Sequence, residues 1–201
     1  MSQAGEILIY TGPMRGKKSD FLIIELEQAR IAEKRVVAFK PAKDTRTAGE
    51  IVSRRFNEQG LPEISRRFPA TIVTVPSDMK TVIDLNHPEI VGIDEAQFLS
   101  LEFIPFIKEM SDRYGIEFVI SGLDMDYLGN PFGKTMPGLL AIAHKVIKTM
   151  AICYRCKSRH AIFTQKITGS TAQVEVGDTE YRAACRNCWY PYRGEISKAS
   201  G

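Results

Sequence analysis

Gly12-Pro13-Met14-Arg15-Gly16-Lys17-Lys18-Ser19 follows the apolar run Ile7-Leu8-Ile9-Tyr10 and precedes a stretch with helical spacing. Residues 7–10 have the length and composition of a buried strand, and Thr11-Gly12-Pro13 supplies a turn. Between residues 19 and 33 the apolar positions are Phe21, Leu22, Ile23, Leu26, Ala29 and Ala32, the spacing of one helix face. A phosphate-gripping loop needs this strand–turn–helix setting and the form G-x-x-x-x-G-K-[ST]. Its backbone N–H groups and the helix N-terminus cradle the anion, the lysine reaches the terminal phosphates, and the hydroxyl holds magnesium. Gly12, Lys18 and Ser19 match this form, whereas Lys17 stands at the second glycine. A left-handed conformation there costs a non-glycine residue about 1 kcal/mol or more. Gly16, one residue earlier, is placed to absorb part of the bend. The loop therefore reads either as a nucleotide site or as a strand–turn–helix corner with a solvated basic cluster.

Further strands are expected over residues 36–39, stopped by Pro41, over 90–93, running into Asp94-Glu95, over 118–120, ending at Ser121-Gly122, and over 146–152. A helix is expected around residues 99–114. Strands alternating with helices imply an α/β fold with a mostly parallel sheet covered on both faces. Residues 45–68 carry Arg46, Arg54, Arg55, Arg66 and Arg67 and read as another helix or a mobile loop. No internal repeat or low-complexity segment is visible.

The chain has 201 residues, of which 44% are hydrophobic and 25% charged, the balance of a globular protein with one full core. Twenty-seven Lys and Arg against 24 Asp and Glu leave a net charge of +3, too small for a protein that coats nucleic acid. The local basic cluster is Arg15, Lys17 and Lys18. No apolar run reaches the roughly 18 residues that span a bilayer, and residues 1–5 hold no basic region of a leader. The expectation is a cytoplasmic protein with reduced thiols and neither membrane nor nucleic acid as partner.

All four cysteines fall into two C-x2-C pairs, Cys153-Tyr-Arg-Cys156 and Cys185-Arg-Asn-Cys188. Two such turns supply four thiolates, a closed tetrahedral set for structural zinc that would pin both ends of residues 157–184. The other readings are one redox pair or two unrelated buried pairs. His160 reads as a solvated loop residue.

Asp94-Glu95 ends the strand at 90–93. An aspartate there can support a magnesium shell, and the adjacent glutamate can take a proton from an acceptor hydroxyl. Alternatively, both acids cap the next helix.

Taken in order, Gly12-Pro13-Met14 with Lys18-Ser19, Lys43-Asp44-Thr45-Arg46, Asp94-Glu95-Ala96-Gln97-Phe98, Gly122-Leu123-Asp124, Pro131-Phe132-Gly133, the paired cysteines, and Val174-Glu175-Val176-Gly177 with Tyr181 resemble the type II thymidine kinase family over nearly the whole chain. The resemblance implies a P-loop NTPase-like kinase domain over residues 1–150, a small zinc-binding lasso domain over 151–193 and a flexible tail over 194–201. It implies transfer of the ATP terminal phosphate to the 5′-hydroxyl of thymidine. By match to the family motifs, Glu95 is the general base and Arg46 faces the reacting phosphate. Gly12, Pro13, Met14, Arg15, Gly16, Lys17, Lys18, Ser19 and Asp94 hold ATP and Mg2+. Met14, Asp44, Arg46, Phe98, Leu123, Tyr127, Phe132, Thr164, Val174, Val176, Gly177 and Tyr181 surround the nucleoside, and Cys153, Cys156, Cys185 and Cys188 hold Zn2+. It also implies a homotetramer inhibited by thymidine triphosphate.

The sequence departs from the family pattern at Arg15, Gly16 and Lys17, at Asp20-Phe21, at Lys166 where arginine is common, and at a shortened Gly177-Asp178. Phe132 and Tyr181 are expected in the pocket, Phe118 and Phe163 in the core. An active kinase is one reading. A nucleoside-binding protein whose donor loop is impaired by Lys17 is a second, and a zinc module on nucleic acid is a third.

Overall fold

The computed structural model describes residues 4–47, 49–56, 62–167 and 180–190. The first ten elements are β1 (Ile7–Thr11), α1 (Lys18–Ile31), β2 (Val36–Pro41), β3 (Glu50–Phe56), β4 (Pro62–Pro69), β5 (Thr71–Val73), α2 (Pro76–Asn86), β6 (Ile90–Ile93), α3 (Phe103–Tyr114) and β7 (Glu117–Gly122). They are followed by α4 (Thr135–Ile142), β8 (Lys145–Lys148), β9 (Ala161–Lys166) and β10 (Tyr181–Cys185). Six strands form one sheet in the order β5-β2-β6-β7-β1-β8, and every neighbouring pair is parallel.

Alternation along the central strands sends side chains to two separate cores, because successive residues of a strand face opposite sides. Ile7 and Ile9 of β1, with Phe118 and Ile120 of β7, pack beneath Met79 and Ile83 of α2, Phe103 and Ile107 of α3, and Met136 and Leu139 of α4. Tyr10 of β1 and Val119 of β7 face the other way, against Leu22, Ile23, Leu26 and Ala29 of α1. Each such aliphatic side chain taken from water contributes about 1.5–3 kcal/mol. The doubly covered parallel sheet is therefore the one expected from the sequence.

In place of the helix or mobile loop expected over residues 45–68, residues 50–56 and 62–69 are strands: β3 and β4 pair antiparallel and lie on α1. Ile51 and Phe68 pair across it and are buried with α1, while Ser53 donates to Asp20 Oδ1 at 3.0 Å. Arg66 reaches Asp20 and Glu27, and Arg67 reaches Glu50 at 2.6 Å. Arg66 thus faces α1 beside Ser53, while Arg55 and Arg67 are exposed, so arginines stand on both faces of the strand pair and mask the alternation.

Two shorter elements also adjust the expectations. The strand expected over 146–152 is β8, which ends at Lys148, and the helix expected around 99–114 begins at Phe103 after a 3-10 turn over Ala96–Phe98. β9 and β10 form a separate antiparallel sheet. Among the described residues, no helix is long and apolar enough to cross a membrane.

Candidate active site and metal centre

The loops that leave the C-terminal ends of β1, β2, β6 and β7 converge on one rim of the sheet, where ligands bind in open α/β sheets. After β1 the chain bends through Gly12 at φ 134°, and a β-carbon on Gly12 would sit 2.5 Å from the Thr149 carbonyl oxygen. Only glycine fits this approach. The bend into α1 is not absorbed by Gly16: Arg15 and Lys17 adopt the left-handed conformation themselves, at φ 63° and 61°. Lys17 is the residue preceding α1, and its side chain is exposed. The turn required of the missing glycine is therefore made by lysine, at the backbone cost expected for it.

Lys18 Nζ donates to the Pro13 carbonyl at 2.8 Å, folding back across the loop. Burial pulls its ammonium below the ordinary value, opposed by Glu95, Asp94 and Asp124. Ser19 Oγ donates to Asp94 Oδ1 at 3.0 Å, and Ser121 Oγ from the end of β7 donates to the same oxygen. Burial and the neighbouring Glu95 push Asp94 up to about 6, against the hydrogen bonds from the two serines and the charge of Arg46.

Glu95 has left-handed backbone at φ 52° and makes no side-chain cap to the 3-10 turn after it. Its carboxylate is gripped from both sides: Arg46 donates to Oε1 and Gln97 Nε2 donates to Oε2. Burial raises the Glu95 carboxyl, but Arg46 and Lys18 outweigh burial and hold it below its ordinary value. Arg46 Nε also donates to Asp44 Oδ1 at 2.7 Å. Gln97 Oε1 accepts the Leu123 N–H at 3.0 Å, so β6 and β7 are locked together behind the acid.

The aromatic wall lies beside these groups. Phe98 and Phe132 meet edge to face with centroids 5.7 Å apart, a favourable ring geometry. Lys166 Nζ stands 5.4 Å from the centre of the Tyr127 ring, and Tyr181 is buried on β10 opposite Lys166. The Met14 N–H donates to Thr164 Oγ1 at 3.0 Å. Phe118 is fully buried in the core, and Phe163 stacks on Trp189 at 4.2 Å. Val174, Val176 and Gly177 lie outside the described residues.

The structure thus joins Ser19 to Asp94, Asp44 to Arg46, Arg46 to Glu95, Phe98 to Phe132 and Met14 to Thr164. Lys40, Gln97 and Ser121 join the site without a motif that marks them. Lys40 is signalled in the sequence only as a cation between the apolar run Val36-Val37-Ala38-Phe39 and Pro41, and Gln97 only by its place two residues after Glu95.

The four cysteine sulfurs lie within 4.8 Å of one another, with Cys156 and Cys185 Sγ 3.6 Å apart. Burial pushes the Cys153 thiol up, but N–H groups of Cys156, Cys185 and Arg155 bring it down to about 6. Four clustered thiols suit a soft or borderline ion such as zinc. His160 is exposed and outside this set.

The family model described as thymidine kinase matches residues 5–189. A thymidine kinase of Bacteroides thetaiotaomicron is 39% identical over 194 residues, covering 95% of this chain and 90% of that protein. One from Bacteroides fragilis is 38% identical, covering 92% and 87%. One from Mesomycoplasma hyopneumoniae is 36% identical, covering 92% and 95%. With the matched region running from before β1 through the last cysteine of the cluster, the chain belongs to the thymidine kinase family.

Proposed function

We propose that this protein phosphorylates thymidine, passing the terminal phosphate of ATP to the 5′-hydroxyl with Glu95 as general base. The observation that carries the reading is the meeting of the Ser19–Asp94 pair and the Arg46–Glu95 pair at one rim of the sheet, in a chain of this family. Glu95 takes the hydroxyl proton as the sugar oxygen bonds to phosphorus and the bond to the departing ADP oxygen breaks. Arg46 supplies a fixed cation for the charge that develops on the phosphoryl oxygens. Residues 12–18 offer backbone N–H groups and the Lys18 ammonium to the donor phosphates.

Ser19 Oγ and Asp94 Oδ1, 3.0 Å apart, are hard oxygen donors and would together hold Mg2+. When bound, the ion neutralises phosphate charge. Met14, Phe98, Leu123, Tyr127, Phe132, Thr164 and Tyr181 enclose the flat base, with Asp44 toward the sugar. Val174, Val176 and Gly177 complete this set in the family pattern.

The reading extends to organisation: a kinase domain over 1–150, a zinc-held lasso domain over 151–193 and a tail over 194–201. The separate β9–β10 sheet carrying Cys185 supports the division. A homotetramer, inhibition by thymidine triphosphate and a cytoplasmic location follow from the family resemblance. The impaired-donor alternative gains no support from the relatives, each of which is a thymidine kinase.

The test is formation of thymidine monophosphate from thymidine, ATP and magnesium by the purified protein and by Glu95→Gln. Product from the wild type, with a loss of roughly a hundredfold or more in the variant, is expected. A wild type no faster than the variant overturns the reading.

A further inference from the structure

Lys40 is the one lysine that the described structure buries completely, with 0% side-chain exposure at the end of β2. A buried ammonium is costly unless its protons are satisfied. Lys40 Nζ lies 2.9 Å from Asp44 Oδ2, 2.5 Å from the Thr47 carbonyl, 3.2 Å from Thr47 Oγ1 and 3.3 Å from the Glu50 carbonyl. All of these acceptors belong to the segment that leaves β2 and enters β3. That segment carries Arg46, and Asp44 is shared: Oδ2 meets Lys40 while Oδ1 accepts Arg46 Nε at 2.7 Å and the Arg46 backbone N–H at 3.3 Å. Arg46 then reaches Glu95, and Gln97 ties Glu95 to β7. The chain of contacts runs unbroken from the interior of β2 to the proposed base.

We propose that Lys40 is a positioning residue, which fixes the turn after β2 through Asp44 and Thr47 and thereby sets the guanidinium of Arg46 against Glu95. The inference rests on the functional reading above for its catalytic consequence, but not for its geometry. Lys40 touches no reacting group and acts only through Asp44 and Arg46. A cation that served packing alone would lower stability when removed and leave Arg46 in place.

The test uses Lys40→Met, with Lys40→Gln as a milder variant that keeps N–H donors, and Lys40→Arg as the conservative one. In the ligand-free protein, the Arg46 Nε–H resonance should be sharp and slowly exchanging in the wild type and in Lys40→Arg, and broadened or lost in Lys40→Met. In thymidine phosphorylation, Lys40→Met should lose roughly tenfold or more in kcat with little change in KM for ATP. The double variant Lys40→Met/Arg46→Ala should be no slower than Arg46→Ala alone, because both changes remove the same contribution. If Lys40→Met does not fold, Lys40→Gln carries the same three measurements. An unchanged Arg46 resonance, an additive double variant, or failure of both neutral variants to fold overturns the proposal and assigns Lys40 to stability. A wild type without kinase activity defeats the functional reading instead, while the resonance still decides where Lys40 places Arg46.

Discussion

The backbone N–H of Met14 donates to Thr164 Oγ1 at 3.0 Å, so the loop that leads into α1 is tied directly to the small sheet. The proposed donor loop and the proposed nucleoside flap therefore share a bond. Thr164→Val, which keeps the shape and removes the acceptor, should cost about 1 kcal/mol, or roughly a fivefold rise in KM for both ATP and thymidine. Thr164→Ser should restore both. Steady-state kinetics against each substrate checks this, and a rise confined to thymidine would place Thr164 on the base alone.

The left-handed Lys17 makes a prediction about stability. Glycine tolerates φ 61° where lysine is strained, so Lys17→Gly should stabilise the fold by about 1 kcal/mol and raise Tm by roughly 2–4 °C. Lys17→Val, branched at the β-carbon, should lower it. Scanning calorimetry of both variants reads the sign.

The cysteine cluster predicts about one zinc ion per chain by metal analysis. Cys185→Ser removes one of four sulfurs from β10 and should lose the ion, lower Tm by roughly 5 °C or more, and weaken thymidine binding. A metal-free wild type with full thymidine affinity would contradict the assignment.

Acid stability should contain a contribution from Asp78. Its carboxylate accepts the N–H groups of Thr74 at 2.8 Å and Val75 at 3.1 Å ahead of α2, and these bonds hold it below the ordinary carboxyl value. A depressed carboxyl stabilises the fold at pH above its unfolded value, about 3.9, and the contribution fades as pH falls through the lower folded value. Asp78→Ala should therefore melt below the wild type at pH 7, and the gap should shrink as the pH drops below about 3.9. A gap independent of pH would place the effect elsewhere.

The sequence exposed the central sheet because β1, β6 and β7 are short, apolar and bounded by turn residues, and α1 keeps a regular apolar stripe at Leu22, Ile23, Leu26 and Ala29. It hid β3 and β4 because the face that meets α1 mixes Ile51 and Phe68 with Ser53 and Arg66, which α1 satisfies through Asp20 and Glu27. Ser19 at the head of α1, Arg46 beyond β2, and Asp94 and Glu95 at the end of β6 were legible as residue types in suitable places. Which partner each acid takes was not, because Gln97, Ser121 and Lys40 act through contacts across the sheet rather than along the chain. Arg15 and Lys17 show the same limit: a motif records where glycine is usual, not whether neighbouring backbone will force another residue into its conformation.

The close fit of Gly12 beneath the Thr149 carbonyl gives the loop a second parent in the chain. Thr149 Oγ1 in turn donates to the Thr11 carbonyl at 3.0 Å, which fastens the exit of β8 to the end of β1. An engineer who transplants residues 12–19 into another scaffold would bring the floor of the cradle without its ceiling. A working graft must import both strand exits, however distant they are in the gene.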